Sequence, residues 1–143
     1  MKDVAQFFKV LADEARLKML WLLFNHRELC VCDLMAALGI TQSKTSRHLA
    51  TLRHAQLVVN RREAAWSYYA IRPVENELER AQLDALRAQL ADRPDATKIL
   101  RNLHSWMKRK NREGACAANS AYRATANNKP ARRARAGGVG GAR

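Results

Sequence analysis

The sequence predicts a mainly α-helical protein with one β-hairpin, on the basis of three observations. Apolar residues recur at helical spacing over most of residues 1–110. A short helix, a turn that contains glycine and a second helix follow one another at 33–55. Directly after them, two β-rich runs flank a short turn, which is the pattern of a hairpin. We therefore expect one folded domain over 1–110, followed by a basic, disordered tail over 111–143.

The first two predicted helices each have one apolar face. Residues 3–11 form the first helix, because their apolar side chains fall at positions i, i+3, i+4 and i+7. Asp13 is a suitable N-cap for the second helix, whose apolar side chains have the same spacing. The two faces comprise Val4, Phe7, Phe8 and Leu11 in the first helix and Leu17, Leu20, Trp21 and Phe24 in the second.

Residues 33–55 carry the pattern of a helix-turn-helix. Gly39 is typical of a helix C-terminus and Thr41 of an N-cap, so we predict helices at 33–38 and at about 42–55. Thr45, Leu49 and Leu52 form the inward stripe of the second helix, which leaves a small polar face outward. A helix-turn-helix places its second helix in the major groove of DNA. The residues that we expect to contact DNA there are Gln42, Ser43, Lys44, Ser46 and Arg47.

The hairpin, with strands at 57–62 and 66–71, is the expected wing of a winged helix-turn-helix. Its turn contains neither glycine nor asparagine, which leaves the turn type open. We expect Arg61 and Arg62, near its tip, to contact DNA as well. From 41 to 62 the chain carries five basic residues and no acidic one, which is the charge pattern of a phosphate-binding surface.

Two further helices are predicted after the wing, at 75–91 and from Asp95 to about residue 110. Their apolar faces exceed what a compact winged domain can cover. We therefore expect a homodimer that forms through its N- and C-terminal helices and binds paired half-sites on double-stranded DNA. The apolar residues of these helices are Leu83, Leu86 and Leu90 in the first and Ile99, Leu103, Trp106 and Met107 in the second.

Composition limits the other classes of function. The net charge is +13, of which +9 falls in 108–143, where a solvated basic segment is the simplest interpretation. The sequence has neither an apolar run of membrane length nor a signal-peptide pattern, so we expect a cytoplasmic protein with no membrane partner. Three cysteines are too few for a disulfide scaffold and fit reduced thiols.

Cys30 and Cys32 lie one residue apart, immediately before the helix-turn-helix. Soft thiolates select soft acceptors, so a sulfur site favours As(III), Sb(III) or Cu(I) over Mg²⁺ or Ca²⁺. Structural zinc would need two more ligands at suitable spacing, and the Cys-x₂₋₄-Cys pattern is absent. Side chains at i and i+2 point apart in a helix but share a face in an extended segment. Both thiols can therefore bind one ion only where this segment is extended or unwinds.

The sequence resembles the ArsR/SmtB family of small metal-responsive repressors. Residues 8–17 are similar to the family's opening signature, 42–53 to its recognition helix and 66–69 to its second wing strand. Within this resemblance, residues 28–34 look like the arsenic- and antimony-sensing box. The resemblance implies that 1–110 is a dimeric repressor domain that releases its operator when As(III) or Sb(III) binds, with no organic cofactor.

The third ligand of the implied site is open. The best-known form of the box has a third cysteine where this chain has Met35, and a thioether is a poor ligand for As(III). Cys116 is the remaining thiol and is our candidate for the third metal ligand, beside Cys30 and Cys32, either within one chain or across a dimer. A small exogenous thiol or two-coordinate binding would also satisfy the chemistry.

Two other functions compete. A repressor of the same fold could sense oxidants through Cys30 and Cys32, although a disulfide between residues i and i+2 closes a small, strained ring. A thiol enzyme such as an arsenate reductase would need a nucleophilic cysteine in an anion-binding loop or a Cys-x-x-Cys pair on a βαβ unit. The sequence has neither pattern, so we expect no enzymatic activity and no catalytic residues.

Overall fold

Six helices and three short strands make up the described part of the chain, residues 1–113 of a computed structural model. The predicted fold class, mainly α with a β-hairpin, is confirmed. No helix among these residues is long and apolar enough to span a membrane. The elements are α1 (Lys2–Leu11), α2 (Glu14–Asn25), β1 (Leu29–Cys30), α3 (Val31–Leu38), α4 (Gln42–His54), β2 (Val58–Glu63), β3 (Trp66–Ile71), α5 (Glu77–Ala91) and α6 (Pro94–Glu113).

Local capping fixes the boundaries of the helix-turn-helix. Gly39 ends α3 in the left-handed conformation (φ 65°), and its N–H donates to the carbonyl of Met35 at 2.8 Å. Two residues later, the hydroxyl of Thr41 accepts a hydrogen bond from the N–H of Lys44 at 3.3 Å and starts α4. The predicted inward stripe of α4 is confirmed, since Thr45, Leu49 and Leu52 are fully buried.

The wing belongs to a three-stranded antiparallel sheet in the order β1-β3-β2. The hairpin pairs Val58 with Ile71 and Glu63 with Trp66 at its two ends. Ala64 takes a positive φ of 53° in the turn, a conformation that costs a non-glycine residue about 1–2 kcal/mol. Strand β1 was not predicted, and it joins the segment just before α3 to the wing.

Helix α6 packs against α3 of its own chain. Ile99 and Leu103 are buried there, and the side-chain amide of Asn102 donates to the carbonyl of Ala37 at 3.3 Å. We expected the apolar face of this helix to be buried by a second copy. That expectation was wrong for Ile99 and Leu103, which are buried within the chain, whereas Trp106 and Met107 of the same face are only partly buried. Helix α6 therefore lies directly over α3, the helix that contains Cys32.

Candidate functional site

Cys30 lies at the junction of the wing and the helix-turn-helix. It is the last residue of β1, where it pairs with Tyr68, and also the N-cap of α3. Its backbone is extended (φ −85°, ψ 168°), whereas Cys32 lies in the first turn of α3. Cys30 alone of the pair is therefore extended, and the two thiols are close enough to affect each other's pKa.

The two thiols differ in acidity. The hydrogen bond to Cys32, followed by burial, raises the pKa of Cys30, whose side chain is almost fully enclosed. The same hydrogen bond lowers the pKa of Cys32, which is only partly buried. Since the thiolate is the reactive form, Cys32 is the more nucleophilic member of the pair.

Asp33 is a buried carboxylate beside the thiols that sequence reasoning missed. One oxygen accepts the N–H of Cys30 at 3.0 Å, and the other accepts from Trp106 Nε1 at 2.9 Å and from Lys110 Nζ at 3.0 Å. Burial alone would raise the pKa of Asp33, but these hydrogen bonds hold it below its usual value. The only signal in the sequence is an acid placed directly after the cysteines in an otherwise apolar stretch.

Lys110 brings a positive charge from α6 to the thiol pair. Its ammonium lies 3.6 Å from Cys30 Sγ, in addition to its ion pair with Asp33. Cys116, the third predicted ligand, lies outside the described residues, as does the predicted tail from residue 114 onward. Within the described chain, no group of three or more His, Cys, Asp or Glu side chains is arranged to hold a metal ion.

A small cavity next to Cys32 connects the thiol site with the elements expected to contact DNA. Its volume is about 110 Å³, and α3, α4 and the wing all contribute to its walls. Ser46, one of the predicted DNA contacts, lines this cavity from the recognition helix. The remaining lining residues are Val31, Cys32, Ala65, Trp66, Ser67 and Tyr69.

The predicted DNA contacts on α4 lie in its first two turns. Ser43, Lys44 and Arg47 are exposed, while Gln42 and Ser46 are partly buried. This side of α4 is opposite to its buried stripe, and it presents two cations and short polar groups. Side chains of these types suit both phosphate contacts and hydrogen bonds to base edges.

In the wing, Arg61 is held by two acids. Its Nε donates to Glu28 at 2.8 Å, its Nη1 donates to Glu63 at 2.7 Å, and its guanidinium carbon lies 4.7 Å from the centre of the Tyr68 ring. The hydrogen bond with Glu28, and then that with Glu63, raises the pKa of Arg61. Arg62 is exposed. The two arginines therefore differ in their availability to DNA, which the sequence did not indicate.

The chain is similar to known bacterial regulatory proteins. The family model described as "Bacterial regulatory protein, arsR family" matches residues 13–59. The chain is 40% identical to the arsenic resistance transcriptional regulator ArsR1 of Pseudomonas putida, over 62% of this chain and 80% of that protein. It is 50% identical to the arsenical resistance operon repressor of Escherichia coli, over 48% of this chain and 58% of the repressor. Among solved structures, HlyU of Vibrio cholerae is similar, with 31% identity, 64% and 95% of the two chains covered and a TM-score of 0.55.

Proposed function

Because this chain belongs to the arsR family of bacterial regulatory proteins, we propose that it is a cytoplasmic, homodimeric repressor that releases operator DNA when As(III) or Sb(III) binds its cysteine thiolates. Relatives that are named arsenic resistance regulators support the choice of inducer. The observation that carries the proposal is the position of Cys30, which ends the strand that pairs with the wing and caps the first helix of the helix-turn-helix. Chemistry at this sulfur acts on both DNA-binding elements at once.

The dimer is proposed to form through α1 and α5. Phe8 on α1 and Leu78 on α5 are large apolar side chains that remain 44% and 42% exposed. Helix α5 fully buries only Leu83 in its own chain, while Leu86 and Leu90 are partly buried against the core. A second copy that covers these faces would remove them from water and present two recognition helices to a two-fold operator.

The metalloid would be captured by exchange of oxygen for sulfur ligands. Arsenous acid, As(OH)₃, reacts with three thiols to form three As–S bonds and release three water molecules. Cys32 is suited to attack first because its pKa is lowered and it borders the cavity. Cys30 reacts second, because its sulfur is hydrogen-bonded to that of Cys32. In doing so, the Cys30 sulfur loses its contact with Lys110.

We propose Cys116, from the same chain or from the second copy of the dimer, as the third ligand. Lys110 already lies 3.6 Å from Cys30 Sγ, and Cys116 follows it by six residues. Helix α6 ends at Glu113, and the three residues from there to Cys116 can extend up to roughly 10 Å, which gives Cys116 a short path back towards the thiol pair. An external thiol, or binding to two sulfurs only, is the alternative. A Cys116→Ser variant that binds arsenite as tightly as the wild type would favour that alternative.

Release is proposed to follow from movement at the β1–α3 junction. Cys30 is paired with Tyr68 in β3, while the adjacent α3 packs against α4. A change at Cys30 therefore shifts the wing and tilts the recognition helix together. Glu28, just before β1, accepts a hydrogen bond from Arg61 of the wing. A change at Glu28 therefore tests whether this segment and the wing are linked.

Glu28→Gln is expected to raise operator affinity about 2- to 5-fold, because it weakens the exposed pair that holds Arg61 through two hydrogen bonds and leaves the single bond to Glu63, so that Arg61 can turn to a phosphate. The slope of log affinity against log salt should steepen by about 0.9 if one phosphate contact is gained. Fluorescence anisotropy at several salt concentrations measures both. In the matched variant Glu63→Gln, Arg61 keeps its partner Glu28, so a smaller change is expected. Equal affinity and slope in Glu28→Gln and the wild type would rule out this linkage.

The proposed function is tested by adding candidate inducers to the protein bound to labelled operator DNA. Arsenite and antimonite should release the DNA at lower concentrations than zinc or cadmium, since a sulfur site with too few ligands for tetrahedral zinc favours the metalloids. Peroxide should leave the reduced complex intact. Release by peroxide alone would instead establish the thiol redox sensor, and no response to any agent would refute both.

A further inference from the structure

His26 carries a polar atom that the chain does not satisfy. Its Nε2 is buried and has no hydrogen-bond partner among the described residues. Within this part of the chain, it is the one buried side-chain nitrogen or oxygen that lacks a partner. Leaving such an atom unpaired costs about 1–3 kcal/mol. Buried polar groups are nearly always paired, so an exception calls for a ligand, commonly a water molecule or an ion.

A second imidazole lies beside His26. His104, on α6, has its ring centre 5.4 Å from that of His26, with the two ring planes at 69°. Two histidine nitrogens that share one metal ion, each about 2.0–2.1 Å from it and at a tetrahedral angle, put their ring centres roughly 5 Å apart. The observed distance between the ring centres therefore matches the one expected for two histidines that share an ion.

We propose that His26 and His104 form a second metal site, separate from the thiols, for a divalent transition-metal ion such as Zn²⁺, Ni²⁺ or Cu²⁺. Imidazole nitrogen suits these borderline ions, whereas As(III) requires sulfur and Ca²⁺ or Mg²⁺ require oxygen. Burial, followed by the proximity of His104, lowers the pKa of His26, which keeps the ring in the neutral form that a metal needs.

The site is open rather than closed. No third His, Cys, Asp or Glu among the described residues completes a metal cluster, so water fills the remaining positions and the affinity is moderate. Asp33 is close enough to favour positive charge at His26, but its oxygens are already used by Cys30, Trp106 and Lys110. We therefore assign it no role as a ligand.

An ion at this site would fasten α6 to the end of α2. His104 lies on the same helix as Trp106 and Lys110, which hold Asp33 beside the thiols. His26 is the residue that follows the last turn of α2. An ion that binds only the folded state stabilises that state. The site would therefore stabilise the packing of α6 against α3.

The test uses the full chain with Cys30, Cys32 and Cys116 changed to serine, so that zinc cannot bind sulfur. Titration calorimetry with ZnCl₂ should give one Zn²⁺ per chain. His104→Ala, at an exposed position, and His26→Ala should each weaken binding at least about 10-fold, since even changes to the groups around a metal ligand cost 10- to 100-fold. The control is His54→Ala, an exposed histidine on α4 that is paired with the carbonyl of Ala50, and it should bind zinc normally.

Equal zinc affinity in His104→Ala and the parent protein would overturn the proposal, as would the absence of zinc binding in the parent. If the triple serine variant does not fold, the increase in Tm caused by ZnCl₂ is compared between the wild type, His104→Ala and His54→Ala. A smaller increase in His104→Ala alone supports the site, and equal increases refute it. The serine variants cannot respond to arsenite, so this outcome is independent of the proposed repressor function.

Discussion

Cys32→Ser is expected to abolish arsenite-induced release of operator DNA. A hydroxyl is a hard, neutral ligand, so the variant loses one of the two sulfurs held together at the start of α3. Changes to groups around a metal ligand already cost 10- to 100-fold in affinity, so the half-maximal arsenite concentration should rise at least about 100-fold. Fluorescence anisotropy with labelled operator DNA measures this concentration.

DNA binding without inducer should change by less than about 2-fold in Cys32→Ser, because serine is nearly isosteric and its effect on a partly buried site is small. The matched control is Cys116→Ser, which removes a thiol without altering α3. It should weaken the response and not abolish it if Cys116 is the third ligand. Release of DNA by arsenite at the wild-type concentration in Cys32→Ser would show that the inducer binds elsewhere.

Asp33→Ala is expected to lower the free energy of unfolding by about 3 kcal/mol, the lower end of the cost of breaking a buried ion pair. The change leaves the Cys30 N–H, Trp106 Nε1 and the Lys110 ammonium without their acceptor. The lower end applies because the Lys110 side chain is 25% exposed, which lets water replace part of the lost interaction. Urea unfolding of the full chain provides the measurement.

The control for this variant is Asp84→Ala, which removes an exposed carboxylate from α5 and should change stability by less than about 0.5 kcal/mol. Hydrogen exchange adds a local test. Because Trp106 and Lys110 bind Asp33, the C-terminal half of α6 should exchange faster in Asp33→Ala than in the wild type. A loss below about 1 kcal/mol, with unchanged exchange in α6, would mean that this network does not hold the helix.

The helix-turn-helix was predictable because its signals are local. Gly39 and Thr41 act within one turn of their own helices, and the inward stripe from Thr45 to Leu52 follows directly from helical periodicity. The polar network at the thiols was not predictable in this way. Asp33 and Lys110 are separated by 77 positions, and no local pattern links an acid after a cysteine to a lysine near the end of α6.

Two other features depended on tertiary structure. The apolar face of α6 indicated that the helix buries one side, but periodicity cannot identify the partner, which is α3 of the same chain. Strand β1 has two residues, too few to show an alternating pattern. Cys30 has an extended backbone where β1 pairs with β3. The sequence indicated that an extended backbone would be needed to bring the two thiols together, but it could not show whether this segment is extended.

The central claim, that metalloid capture at the thiols releases DNA, is tested most directly by measuring arsenic content and DNA binding on the same sample. Wild-type protein bound to operator DNA is treated with arsenite and separated by gel filtration, and arsenic is quantified in each fraction. We expect one arsenic per chain in DNA-free protein and none in protein that remains bound to DNA. Arsenic retained by the DNA complex, or DNA released from protein that carries no arsenic, would contradict it.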